Sequence, residues 1–138
     1  MDASPGGAGP AVVVCVDDEL PILAALRRLL RHEPYEFLAT DRPDLAMAWV
    51  LEKKADLVIA DQRMPGISGL EILETVKLCS PRTVRVMLTG QSDLTGILKI
   101  KGLEAIDRLV RKPWDADELK NTLRILLSER DEDRRPPG

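Results

Sequence analysis

Five polar side chains in this 138-residue chain stand just past short strand-like runs rich in apolar residues. Asp17 and Asp18 follow Val12–Val16, and Asp61 follows Leu57–Ala60. Thr89 follows Val84–Leu88, and Lys112 comes just past Ile106–Val110. If these positions meet in one crevice, three carboxylates, a hydroxyl and an ammonium face one another. Three clustered carboxylates cannot all stay ionised without a cation, and Lys112 supplies one positive charge. A donor set made of oxygens, with no His or Cys, suits a hard ion, Mg²⁺ ahead of zinc or copper. Mg²⁺ and Lys112 together then balance the three acids. Such a site also suits a phosphoryl group. The two cations neutralise its oxygens, Thr89 donates a hydrogen bond, and one carboxylate acts as nucleophile.

The elements that would position these residues follow from the hydrophobic pattern. Val12–Val16 is a continuous apolar run of strand length. Leu20–Arg31 carries a helical stripe at 22, 23, 26, 29 and 30, with Asp18 as its expected N-cap and Pro21 in its first turn. Tyr35–Thr40 alternates as a half-buried strand, and its end, Thr40-Asp41, resembles helix capping. Pro43–Lys54 reads as a helix with Leu45, Ala46, Trp49 and Val50 on one face. Leu57–Ala60 is a short apolar strand. Ser68-Gly-Leu-Glu71 is a capping-box signature for a helix to about Leu78. Val84–Leu88 is the fourth strand, 93–101 a weaker helix, and Ile106–Val110 the fifth strand. Asp115 opens a last helix carrying Leu119, Leu123, Leu126 and Leu127. Five strands, each followed by a helix, imply an α/β domain whose parallel sheet is covered on both faces. In such sheets, ligands bind beyond the carboxyl ends of the strands, where the five polar residues stand.

Composition narrows the class. Hydrophobic residues make up 44% and charged residues 31%, ordinary for one globular domain. Residues 1–10 read as a flexible arm, 11–128 as the folded domain, and 129–138 as a flexible tail. A net charge of −3 argues against a chain that coats nucleic acid or anionic membrane. No apolar stretch approaches the roughly 20 residues of a membrane span. The N-terminus lacks the basic and apolar regions of a signal peptide, so a cytoplasmic location is expected. Cys15 and Cys79 have no metal-ligand spacing and read as reduced, structural thiols. The Arg108, Arg111, Lys112 group is too small to argue direct nucleic-acid contact.

Four segments in order, Val14-Cys-Val-Asp-Asp-Glu19, Asp61-Gln-Arg-Met-Pro-Gly66, Leu88-Thr-Gly90 and Lys112-Pro113, resemble the receiver (CheY-like) domain of two-component response regulators. The match runs over about 11–128. The resemblance implies a doubly wound (βα)5 fold with flavodoxin-like strand order 2-1-3-4-5. It implies that Asp61 accepts a phosphoryl group from a histidine kinase or phosphotransfer protein. Asp17, Asp18, Asp61 and the backbone carbonyl of Arg63 would hold Mg²⁺. Thr89 would sense the phosphoryl group, Lys112 would pair with it, and Met64-Pro-Gly66 would shape the loop beyond the acceptor. Arg63 and Gln91 would influence how long the phosphoryl group persists. Such a domain is no enzyme in the turnover sense, because it catalyses only its own phosphorylation and dephosphorylation. A face made of the 93–101 helix, the fifth strand and the last helix would change its downstream protein partner, or pair two copies. One position departs from the pattern. The family's usual aromatic, three residues before the lysine, is here Leu109. The usual coupling of Thr to that aromatic is therefore absent.

Plainer roles and rival classes stand beside this reading. Asp17 and Asp18 also serve as helix caps, Asp61 as a turn residue, Lys112 as a loop lysine, and Thr89 as a strand-end hydroxyl. His32 reads as an exposed helix-end residue, Trp49 and Trp114 as packing residues. A phosphatase with an Asp nucleophile generally wants a second acid two residues on; Asp17 has Glu19 there and Asp61 has Arg63, a poor match. A dinucleotide-binding turn wants glycines where the chain has DDELP. The remaining alternative is a receiver-like interaction module that does not use phosphorylation. The residues after the last helix hold no effector domain, so the sequence fits a stand-alone receiver or one cut from a longer protein.

Overall fold

The computed structural model describes residues 9–90, 96 and 103–133. Its strands are β1 (Ala11–Val16), β2 (Tyr35–Thr40), β3 (Leu57–Asp61), β4 (Val84–Thr89) and β5 (Arg108–Arg111). The described helices are α1 (Leu20–Leu30), α2 (Pro43–Glu52), α3 (Gly69–Cys79) and α4 (Ala116–Asp133). All strand pairs are parallel and the sheet order is β2-β1-β3-β4-β5. This is the expected doubly wound order. The helix expected at 93–101 lies outside the described residues, apart from Gly96.

The unbroken apolar runs have a direct cause. A strand covered on both faces must be apolar at successive positions, because alternate side chains enter different layers. Val14, Val16, Val58, Ala60 and Met87 pack with Val50 of α2 and Ile72 and Leu73 of α3. Val13, Cys15, Leu57, Ile59, Val86 and Leu88 pack on the other face with Leu23 and Leu26 of α1 and Leu119 and Leu123 of α4. Both cysteines are free; Cys15 is buried and Cys79 exposed. Burial pushes the Cys15 thiol pKa up, so it packs as a small apolar side chain. Among the described residues, no helix is long and apolar enough to cross a membrane.

Several local expectations shift. The N-cap of α1 is Glu19, not Asp18, and makes no side-chain cap bond. Asp17 instead accepts the Glu19 N–H through Oδ1 at 2.9 Å. β5 begins at Arg108, because Leu103–Ala105 forms a 3₁₀ turn and Ile106 follows it in a loop. α4 runs to Asp133, into the segment read as tail. There Arg130 Nη1 reaches Asp56 Oδ1 at 2.6 Å, and its Nε donates to the Arg82 carbonyl at 2.7 Å. Asp56 also accepts the Val12 N–H at 2.7 Å, so one acid ties α4 to the first residues of the sheet.

The β3–α3 connection sets where Asp61 sits. The Ser68/Glu71 capping box forms as expected, with bonds of 3.1 and 3.0 Å. The Gln62 side chain accepts the Leu70 N–H at 3.0 Å, and the Gln62 carbonyl accepts the Gly69 N–H at 3.1 Å. α3 therefore starts almost against Asp61. A Cβ at Gly69 would overlap the Asp61 carbonyl oxygen and lie 2.8 Å from its carbon. Gly66 differs: its φ of +83° demands glycine, while the space around it is open.

This contrast predicts an order of costs. Gly69→Ala forces backbone apart and should lose about 3 kcal/mol in urea unfolding. Gly66→Ala strains one φ and should lose about 1 kcal/mol. Equal losses would mean that α3 does not press on the Asp61 backbone.

Candidate functional site

Val16 of β1 lies in register with Ala60 of β3, so Asp17 and Asp61 end adjacent strands. Asp61 pairs with Leu88 of β4, and Thr89 with Arg111 of β5. The Lys112 N–H donates to the Thr89 carbonyl at 2.9 Å, which holds the β5 exit against the end of β4. The Lys112–Pro113 peptide is cis. From there the Lys112 side chain reaches back across the end of β4. Its Nζ lies 2.8 Å from Asp61 Oδ1, 3.4 Å from Asp17 Oδ2 and 3.3 Å from Glu19 Oε1.

Four carboxylates meet here. Asp17, Asp18, Glu19 and Asp61 each place an oxygen within 4.8 Å of the others. Asp17 and Asp61 are buried, whereas Asp18 and Glu19 are exposed. Burial raises the Asp17 carboxyl to a pKa of about 6. The Glu19 N–H and Lys112 oppose that rise, and the Asp61 charge adds to it. Burial likewise raises Asp61, against the hydrogen bond and charge of Lys112. For Lys112, burial favours the neutral amine, but the bond to Asp61 and the charges of Asp17, Asp61 and Glu19 outweigh it. Its pKa is raised and it stays an ammonium.

One ammonium is too little charge for four carboxylates. The donor set consists of hard oxygens, closely spaced and partly withdrawn from water, and it fits a divalent cation such as Mg²⁺. Arg63 is exposed in the β3–α3 loop. It lines a shallow depression beside the acids with Asp18, Gln62, Met64 and Pro65. Thr89 is wholly buried at the end of β4, and among the described residues its hydroxyl donates to the neighbouring Gly90 carbonyl, at 3.2 Å.

Asp17, Asp18, Asp61 and Lys112, singled out from sequence, come together, and Thr89 ends the strand beside Asp61. Gln91 lies outside the described residues. Glu19 is not among the five polar residues singled out from sequence; the structure brings its carboxylate to 3.3 Å from Lys112 Nζ. Nothing in its type separates it from an ordinary first-turn acid. Gln62 and Gly69 were missed as supports, because their roles depend on how closely α3 approaches β3. Leu109 is half-buried, opposite Met87, and packs against the α2–α3 layer. Trp49 and Trp114 pack against the two core layers, as expected.

The raised Asp17 pKa has a consequence for stability. A folded pKa of about 6, above the ordinary value near 4, favours the fold below pH 4. That contribution is lost as pH rises through 6. Asp17→Asn keeps the acceptor for the Glu19 N–H without the charge. In EDTA it should match wild type near pH 4 and exceed it by about 2 kcal/mol at pH 7.5. Added Mg²⁺ should narrow the gap by stabilising wild type alone. Denaturant midpoints at three pH values check this, and a pH-independent gap refutes it.

Residues 13–124 match the family profile of the response regulator receiver domain. The hydrogenase transcriptional regulatory protein HoxA of Cupriavidus necator is 36% identical over 114 residues, 83% of this chain. This chain spans 23% of the length of that regulator and of its Bradyrhizobium diazoefficiens counterpart. Sporulation initiation phosphotransferase F of Bacillus subtilis is 28% identical over 115 residues, 83% of this chain and 92% of that protein. Among solved structures, the signal receiver domain of an HD domain-containing protein from Pseudomonas fluorescens is similar at 32% identity. Its TM-score is 0.82, with 91% of this chain and 92% of that one covered. With its four motifs at the strand ends of this sheet, the chain belongs to the response regulator receiver domain family.

Proposed function

We propose that this receiver domain takes a phosphoryl group onto Asp61 from a phosphohistidine of a histidine kinase or phosphotransfer protein. The observation that carries the reading is the 2.8 Å contact of Lys112 Nζ with Asp61, inside an acidic pocket at the sheet's carboxyl end. The small size and full coverage of the sporulation phosphotransferase, named as a phosphotransferase, support it. The domain promotes only its own phosphorylation and dephosphorylation, in the cytoplasm, and hands the signal to a downstream protein.

In this reading an Asp61 oxygen attacks phosphorus. An O–P bond forms as the P–N bond breaks, and the electron pair leaves with the imidazole, which takes up a proton. Mg²⁺, held by Asp17, Asp18, Asp61 and the Arg63 carbonyl, would neutralise and orient the phosphoryl oxygens. Lys112 follows the charge from the carboxylate to the phosphoryl group, within reach of the same Nζ. Among the described residues the Thr89 hydroxyl makes one long bond, to the Gly90 carbonyl, which it can leave to turn toward the new oxygens. Asp17 Oδ1, held by the Glu19 N–H, keeps its other oxygen facing Lys112.

Output is the less conventional step. Leu109 is apolar and has no hydroxyl or ring to follow Thr89 inward. This favours, as a second reading, an interaction module whose binding face does not depend on phosphorylation. In the first reading, the face near β5, α4 and residues 93–101 changes partners without an aromatic swing.

Incubation with Mg²⁺ and a small phosphodonor should add one acid-stable, base-labile phosphoryl mass. Asp61→Asn should abolish it, and Lys112→Ala should slow it about 100-fold. No increment in wild type leaves the interaction module standing. An increment that persists in Asp61→Asn moves the acceptor elsewhere. A phosphoryl mimic should shift the amide signals of Thr89 and Gly90 while leaving β5 nearly unchanged. Large shifts at Leu109 would show that the leucine does transmit the switch.

A further inference from the structure

Glu19 has the wrong bonds for a helix cap. It occupies the N-cap position of α1, yet its side chain makes no cap bond and lies 3.3 Å from Lys112 Nζ. The partners of that ammonium form a gradient. The side chains of Asp17 and Asp61 are 0% and 5% exposed, and that of Glu19 is 59% exposed. Glu19 is the most exposed of these three partners, on the solvent side of Lys112.

Charge decides what this does. Mg²⁺ and Lys112 carry three positive charges between them, which would match Asp17, Asp18 and Asp61. Glu19 is a fourth carboxylate, within 4.8 Å of the others. With the ion bound, the pocket keeps one negative charge in excess, and that charge sits at the mouth. We infer that Glu19 is a specificity-determining residue of the phosphoryl pocket. It holds the outer side of Lys112, strengthens binding of the divalent cation, and weakens capture of small anionic phosphodonors. The inference rests on the phosphoacceptor reading of Asp61. A protein donor escapes the penalty when its own surface places a cation opposite Glu19, whereas a free acyl phosphate brings only negative charge.

A single exposed charge a few ångströms from its partner changes affinity by about three- to fivefold at low salt, and less as salt screens it. Two measurements on Glu19→Gln read both sides of the inference: calorimetric titration with MgCl₂, and the donor-concentration dependence of phosphorylation by acetyl phosphate. The Mg²⁺ Kd should rise about threefold while the KM for acetyl phosphate falls about threefold. Both changes should fade in about 0.5 M KCl. Glu19→Asp, which keeps the charge, should stay near wild type in both. Opposite directions separate this from a damaged fold, which weakens both together. If both affinities weaken, or neither moves, the inference is wrong. A wild type that takes no phosphoryl group, or an Asp61→Asn variant that still takes one, removes the phosphoacceptor reading and this inference with it. Normal Asp61 phosphorylation with an unchanged Glu19→Gln variant removes only the inference.

Discussion

At the carboxyl end of this sheet, one ammonium group sits among carboxylates that repel one another. Lys112 Nζ contacts Asp61, Asp17 and Glu19 at 2.8 to 3.4 Å, and two of those acids are withdrawn from water. Burial, with repulsion between neighbouring acids, pushes Asp17 and Asp61 toward their neutral forms, while the surrounding acids hold Lys112 positive. The site is thus short of positive charge by construction. A divalent cation is the ligand this shortage favours, because it supplies the missing positive charge.

The scaffold exists to keep this unfavourable arrangement in place. Parallel strands put Asp17, Asp61 and Thr89 at one edge, and packing on both faces makes that edge rigid. The start of α3 is pressed against the Asp61 backbone, which only Gly69 permits. Gln62 and the Ser68/Glu71 box then lock the loop between them. At the opposite end of the sheet, Asp56 joins β1, β3 and the last turns of α4 through its bonds to Val12 and Arg130. These contacts are remote from the chemistry, yet they fix the layers that present it.

Family membership and the departure at Leu109 fit together physically. The phosphoryl chemistry proposed for the acids and the lysine does not use the side chain at 109. The proposed link from pocket to surface is the step that the residue at 109 bears on. A leucine packed between Met87 and the α2–α3 layer offers apolar contact but no hydrogen bond.

Much of this was legible in the sequence. Short, mostly apolar runs alternating with helical stripes read as strands of a covered sheet, and Asp17, Asp61, Thr89 and Lys112 stand just past four of them, so they could be read in advance. The capping box at Ser68 was equally plain, because its chemistry is local. Tertiary structure decided what depends on distance between elements. Glu19 became a partner of Lys112 because the β5 exit crosses the end of β4. Gly69 became obligatory because α3 meets Asp61. β5 started late because a 3₁₀ turn took the residues before it. Residue types and periodicity record burial and local capping; they do not record which side chain, some ninety residues away, comes within 3.3 Å.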